Sequence, residues 1–250
     1  MIVIAHRGWS GKYPENTLIA FQKAIHLGVD AVELDVTLSY DSVPVVIHDD
    51  TLDRTMNAEG PVRFFSYSYL KTLDAGIKFN KKFINEKLPS LEDTLKLFNQ
   101  HKTILNIEIK SSSVQPKLNK DSIERKVLSL VKKYKMTERI IISSFSKLAL
   151  TRIRKIDPKI KLSCLFENYE CSKIESANLV KKLHPYSYNL PYEECDSALC
   201  KELLKSGFKV ILYTVNNKNE LKKSIKSGVH GIFTDHPDKM KRYINEIIYK

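Results

Sequence analysis

Short apolar runs rich in β-branched residues alternate along the chain with longer segments whose apolar positions recur at helical spacing, the pattern of βα units around a parallel sheet. Eight runs are predicted as strands: Ile2 to Ala5, Ala31 to Thr37, Thr103 to Ile109, Arg139 to Ser143, Lys161 to Phe166, His184 to Tyr188, Lys209 to Thr214 and Gly231 to Phe233. Helices are predicted near Glu15 to His26, Leu91 to Asn99, Ser122 to Tyr134, Lys147 to Ile156, Lys173 to Lys182, Asp196 to Ser206, Lys218 to Ser227 and Pro237 to Ile248. Pro14 suits a first helical turn, Ser90 and Ser146 suit N-caps, and Gly28, Gly207 and Gly228 suit helix exits. Eight repeats of strand then helix favour a closed α/β (β/α)8 TIM barrel over an open doubly wound sheet.

One interval breaks this rhythm. About forty residues, Asp49 to Pro89, separate the second strand region from its helix, too many for an ordinary βα loop. Within and beside it, Val43 to Ile47 reads as a short strand continuation ending in His48, and Ser66 to Leu73 as a short helix. The expectation is one catalytic domain over residues 1–250, with a small insertion subdomain at about 49–89 lying over the barrel mouth.

The formal net charge of +12 raises the local concentration of anions but does not choose among phosphorylated small molecules, nucleic acids and anionic membranes. Much of the excess lies on predicted helices, as at Lys132, Lys133, Lys222 and Lys223, where solvated outer faces are the simplest reading. No basic stripe interleaved with aromatics marks a nucleic-acid binder. Cys164, Cys171, Cys195 and Cys200 form no C-x-x-C pair and no zinc-like spacing with histidine, so free, mostly inert thiols are expected. No stretch approaches the ~20 apolar residues of a membrane span, and the N-terminus lacks a basic region followed by a cleavable apolar stretch. Ile2 to Ala5 also reads as a core strand that delivers His6. A cytoplasmic protein is therefore expected, as a monomer or homodimer, with peripheral membrane contact left open.

In a parallel barrel the chemistry gathers at the C-terminal ends of the strands. His6 and Arg7 follow the first strand, Glu33 and Asp35 lie on the second, and Glu108 and Lys110 finish the third. Alternation puts Glu33 and Asp35 on one strand face, and Glu108 and Lys110 likewise. Three inward carboxylates repel unless a cation or proton separates them, and their oxygens suit one divalent cation, Mg²⁺ or Ca²⁺. The alternative is a buried network in which Arg7 and Lys110 merely neutralise the acids. That alternative leaves His6 and His48 without a purpose, whereas phosphodiester cleavage needs a base, an acid and positive charge around phosphorus. His26, His101, His184, His230 and His236 read as structural or surface groups, Asn16 as either an orienting side chain or a helix starter, and Ser143-Ser144-Phe145 as either a ligand contact or a cap.

The ordered motifs His6-Arg7-Gly8, Pro14-Glu15-Asn16-Thr17, Glu33-Leu34-Asp35-Val36 and His48-Asp49 resemble the N-terminal signature of the glycerophosphodiester phosphodiesterase family. Thr51-Leu52-Asp53-Arg54-Thr55, Leu73-Asp74-Ala75-Gly76 and Leu88-Pro89-Ser90-Leu91-Glu92 resemble that family's insertion. Glu108-Ile109-Lys110, Ser144-Phe145, Thr214-Val215-Asn216 and Thr234-Asp235-His236-Pro237 continue the series. The resemblance implies a barrel with His6 and His48 as acid and base, Glu33, Asp35 and Glu108 as metal ligands, and Arg7 and Lys110 as phosphate contacts. It implies cleavage of a small glycerophosphodiester to glycerol 3-phosphate and an alcohol. A related family mechanism begins with attack on phosphorus by the substrate's own glycerol hydroxyl. One departure is Tyr213, where the family commonly has tryptophan, which bears on headgroup packing.

Two other functions fit parts of the pattern. A phospholipase-D-like enzyme acting on lysophospholipid would need an exposed apolar patch at the mouth, with Phe64, Phe65, Phe79 and Phe83 as candidates. A phosphodiester-binding protein without turnover would keep the fold and lose the chemistry.

Overall fold

The computed structural model describes residues 1–167 and 183–248. Its strands are β1 (Ile2–Ala5), β2 (Ala31–Leu38), β3 (Pro44–Val46), β4 (Ile104–Ile109), β5 (Ile140–Ser144), β6 (Lys161–Leu165), β7 (Ser187–Pro191), β8 (Val210–Tyr213) and β9 (Gly231–Thr234). The described helices are α1 (Leu18–His26), α2 (Tyr67–Leu70), α3 (Leu91–Asn99), α4 (Ile123–Lys133), α5 (Lys147–Ile156), α6 (Ala198–Lys205), α7 (Lys218–Lys226) and α8 (Pro237–Ile248). The sheet runs β1-β9-β8-β7-β6-β5-β4-β2, and β1 pairs again with β2. The eight parallel strands therefore close on themselves as a (β/α)8 barrel, and β3 adds to β2 as an antiparallel flap. The expected helix Lys173 to Lys182 and Cys171 lie outside the described residues.

Strand alternation creates two environments. Outward residues such as Leu34, Val36, Ile107, Ile109 and Ile142 pack against the helices with Phe21, Leu95, Phe98 and Val127 in one continuous core. Each such buried side chain contributes about 1.5–3 kcal/mol relative to exposure. Inward residues are apolar at the bottom, with Ile4, Ala31, Ile211 and Phe233 in contact, and polar higher up. There Asn106 donates to Ser143 at 2.8 Å, and Ser163, Ser187 and Asn189 are buried and hydrogen-bonded to one another. Polar inward positions thus replace a dry upper layer and lead to the mouth.

Helix boundaries follow side-chain chemistry. Ser90 and Asp93 form a capping box on α3, Ser146 accepts from Ala149 N at the start of α5, and Gly28, Gly207 and Gly228 have φ of 72°, 78° and 78° at helix exits. Pro14 does not start a helix: Asn16 at φ 57° breaks the turn, and Thr17 caps α1 by accepting from Ala20 N. The seventh strand lies three residues later than expected, at Ser187–Pro191. His184 has φ 45° and precedes Pro185, so extended pairing starts only where Ser187 aligns with Ser163. β3 and the interval between it and α3 share a small core, built from Val45, Ile47, Leu52, Met56, Leu70 and Leu88. Its Ser66-to-Leu73 helix is shorter than expected, at Tyr67–Leu70, with Ser66 as its cap.

Candidate active site

The end of β1 bends sharply. His6 N still donates to Thr234 O at 3.0 Å, but Arg7 and Gly8 take φ of 55° and 80°. A Cβ on Gly8 would stand 2.8 Å from Ala20, so glycine is required by both conformation and space. The bend aims Arg7 N at Glu33 Oε2, 2.8 Å away, and sends the guanidinium towards Asp35 (Nε, 3.4 Å) and Glu15 (Nη1, 3.0 Å). Glu33 lies opposite Asn106 and Asp35 opposite Glu108, because β2 and β4 pair in parallel register. Lys110 reaches back to Glu108 at 3.1 Å and Asp35 at 3.6 Å. The flap strand β3 is followed by Ile47, whose N–H donates to Asp35 O at 3.1 Å and so fixes His48 beside the acids.

Glu33, Asp35 and Glu108 each offer an oxygen within 4.8 Å of the others. Burial, then the charges of Asp35 and Glu108, holds the Glu33 carboxyl well above its ordinary range. Burial and then Asp35 push Glu108 up to about 7. Burial acts on Asp35 in the same direction, but Lys110 and Arg7 outweigh it and hold that carboxyl low. Glu33 Oε1 is buried without a hydrogen-bond partner, and Arg7 Nε makes no hydrogen bond despite its approach to Asp35. Two nearby cations therefore do not complete the acidic cluster, contrary to what a self-sufficient ion network requires. An orphaned oxygen among three hard, converging donors fits a divalent cation.

Each histidine is held by its own carboxylate. His6 Nδ1 lies 2.7 Å from Asp235 Oδ1, and His48 Nδ1 lies 2.6 Å from Asp49 Oδ1. Both acids titrate below the usual carboxylate range: Asp235 despite its burial, chiefly through the bond to His6, and Asp49 chiefly through Arg54. Ionised carboxylates only accept, so each Nδ1 carries the hydrogen and leaves Nε2 for chemistry. Burial, then the charges of Arg7 and Lys110, lowers the proton affinity of His48 against the pull of Asp35.

These supports are themselves braced. Ser10 and Asn216 donate to Asp235 at 3.0 and 2.7 Å, while Arg54 bridges Asp49 and Glu15. Asn16, in its left-handed conformation, donates to Asp35 Oδ2 at 2.9 Å and accepts from Asp35 N at 3.3 Å, which resolves its role as orientation rather than helix initiation. Among Ser143 and its neighbours, Ser144 donates to Ile109 O and Ser146 is the cap.

His6, Arg7, Glu33, His48 and Glu108, five of the seven anticipated residues, line one cavity of about 130 Å³, with Asp35 and Lys110 joined to it by ion pairs. Phe145, Leu165, Tyr213 and Phe233 supply the apolar part of the same lining. Tyr213 meets Phe145 edge-on at 6.2 Å and donates its hydroxyl to Phe166 O, so the ring is fixed as a wall of the mouth. Of the four phenylalanines proposed for a mouth patch, Phe64 and Phe79 are exposed and Phe65 is half-buried; Phe83 is buried, because it packs between Tyr13 and Phe79. Cys164, Cys195 and Cys200 are free and buried. Among the described residues, no helix is long and apolar enough to cross a membrane.

Residues 6–239 match the profile of the Glycerophosphoryl diester phosphodiesterase family. The chain belongs to this family. A glycerophosphodiester phosphodiesterase of Caldanaerobacter subterraneus subsp. tengcongensis is 41% identical over 237 residues, covering 95% of each chain. One from Bacillus altitudinis is 34% identical over 98% of each. An Oleispira antarctica phosphodiesterase, solved with the product sn-glycerol-3-phosphate, superposes with a TM-score of 0.88 at 27% identity, over 98% of this chain and 97% of that one. With that match running over residues 6–239, the chain is an enzyme of the phosphodiesterase class.

Asp235, Asp49, Glu15, Arg54 and Asn216 carry structural duties that the sequence reading did not assign. Asp49 adjoins His48 and was open to being paired with it. Asp235 lies 229 positions from His6, and only closure of the barrel by β9 against β1 brings them together.

Proposed function

We propose that this phosphodiesterase hydrolyses small glycerophosphodiesters to glycerol 3-phosphate and an alcohol, working as one catalytic barrel with its insertion over the mouth. The carrying observation is the convergence on one cavity of three carboxylates and two aspartate-braced histidines. Glu33, Asp35 and Glu108 hold one divalent cation, Mg²⁺ or Ca²⁺, which when bound supplies Lewis-acid stabilisation of the charge growing on phosphoryl oxygen. Arg7 offers a planar fork to two phosphate oxygens and Lys110 a point charge to another. Both already face the acidic cluster, so an arriving phosphate exchanges one set of oxygens for another.

His48 and His6 divide the proton transfers. A lowered proton affinity favours a neutral His48 ring near neutral pH, able to take a proton at Nε2 from the attacking hydroxyl. His6, held at Nδ1 by Asp235, then delivers a proton from Nε2 to the leaving alkoxide. The attacking hydroxyl is water or the substrate's own glycerol oxygen, which would pass through a cyclic phosphate. Phe145 and Tyr213, in the same lining, give carbon-bound hydrogens of the glycerol an apolar surface. Phosphorus NMR of a glycerophosphocholine digest tests the reaction: glycerol 3-phosphate is expected, and phosphocholine as the phosphorus-containing product would place cleavage on the other ester bond and overturn the reading.

A further inference from the structure

The insertion carries a second surface, separate from the catalytic cavity. Between Ile77 and Lys87, Ile77, Phe79 and Ile84 are 41%, 45% and 47% exposed, and Lys78, Lys81, Lys82 and Lys87 are exposed among them. Glu86, half-buried, is the one carboxylate in that stretch. Lys78 and Lys87 bond carbonyl oxygens and lie near enough to Asp53 and Asp74 for their charges to act on those carboxyls, whereas among the described residues no ion pair joins Lys81 or Lys82 to a carboxylate.

The loop is not slack. Asp74, just before it, is buried and accepts from Gly76 N and Ile77 N at 2.8 Å and Asn85 N at 2.6 Å, pinning both ends of the projection. Gly76 packs so closely on Phe83 that a Cβ would lie 1.9 Å from its carbonyl oxygen. Phe79, Phe83, Tyr13 and Trp9 then follow one another at centroid spacings of 5.7, 5.6 and 5.5 Å, with Lys82 over Phe83 and Lys12 over Trp9. Trp9 and Tyr13 belong to the loop that leaves His6 and Arg7, so the aromatic row reaches the segment that carries those two residues.

We propose that this face docks the enzyme onto an anionic phospholipid surface. Lys81 and Lys82, unpaired with carboxylates, complement lipid phosphates, and apolar and aromatic side chains held outward by a fixed loop enter the headgroup layer. Docking would hold the mouth beside the membrane from which glycerophosphodiesters derive.

The test is co-sedimentation of the full chain with phosphatidylcholine vesicles containing about 30% phosphatidylglycerol, and with phosphatidylcholine alone. Binding is expected to the anionic vesicles and to weaken with salt. F79S with I84S, and separately K81E with K82E, should each lower partitioning about tenfold or more while soluble glycerophosphocholine is cleaved at the wild-type rate. Binding is read without turnover, so failure of docking and failure of the phosphodiesterase reading are separate results. Wild-type protein left in the supernatant, equal retention on neutral vesicles, or retention unchanged in both double variants would overturn the proposal. So would concentration-dependent self-association that is lost in F79S with I84S in place of vesicle binding.

Discussion

Replacing Glu108 by Gln removes one negative charge from the barrel mouth and keeps the side chain's shape. In the cation-free protein Glu108 titrates at about 7 rather than 4.5, because burial and then Asp35 oppose its ionisation. The folded state thus retains a proton that the unfolded chain gives up above pH ~4.5, so stability falls as pH rises from about 4.5 to about 7 and stays low beyond. At about 1.36 kcal/mol per pH unit, that interval is on the order of 3 kcal/mol. Gln has no proton to release. In EDTA, Glu108→Gln should therefore gain on the wild type by about that amount between pH 5 and pH 8, read from urea unfolding at both. Histidine titration affects both proteins and cancels in the difference. Mg²⁺ or Ca²⁺ at about a thousandfold its Kd should more than offset this difference at pH 8, because it adds about 4.1 kcal/mol to the protein that binds it. A difference in EDTA that is equal at pH 5 and pH 8 would refute the claim that Glu108 holds an uncompensated charge.

Four further substitutions separate the roles. His6→Ala and His48→Ala should each lower kcat by roughly 10² or more with metal affinity nearly unchanged, checked by steady-state kinetics beside calorimetric metal titration. Asp235→Asn keeps the volume but turns one of two accepting oxygens into an NH2 donor, so the side chain cannot accept from both His6 Nδ1–H and Asn216 Nδ2–H, and kcat should fall by ~10²–10⁴ with KM little altered. Asn16→Ala leaves Asp35 without its side-chain brace and should weaken metal affinity by roughly 10–100-fold, which raising the cation concentration would partly restore. Wild-type kinetics in any of these would remove that residue from its assigned role.

The barrel was legible because two periodicities alternate cleanly: β-branched runs such as Ile140 to Ile142 and helical stripes such as Ile123, Val127 and Val131. The acidic cluster was legible for a related reason. A carboxylate at every second position of a buried strand, as at Glu33 and Asp35, has no cheap structural excuse. What escaped were features set by closure and by local backbone handedness. Pro14 carried a helix-start signal, yet Asn16 adopts a left-handed conformation because its side chain is committed to Asp35. The pairing of Asp235 with His6 depends on β9 lying beside β1, which no local pattern specifies. Phe83 belongs to an apolar stretch that reads as exposed, and only its packing between Tyr13 and Phe79 shows it to be interior to the loop. Register, too, was set by partners: Ser187 begins β7 because Ser163 is there to meet it.

Phosphodiester cleavage in the proposed mechanism has one requirement, a cation held by the Glu33, Asp35 and Glu108 cluster. It is tested most directly by glycerol 3-phosphate release from glycerophosphocholine and glycerophosphoethanolamine after EDTA treatment, with Mg²⁺ or Ca²⁺ then added back to the wild type and to Glu108→Gln. Release that stops in EDTA, returns with the cation in the wild type and stays at least ~10²-fold lower in the variant is the predicted result. Undiminished release in EDTA, or full activity from Glu108→Gln, would contradict it.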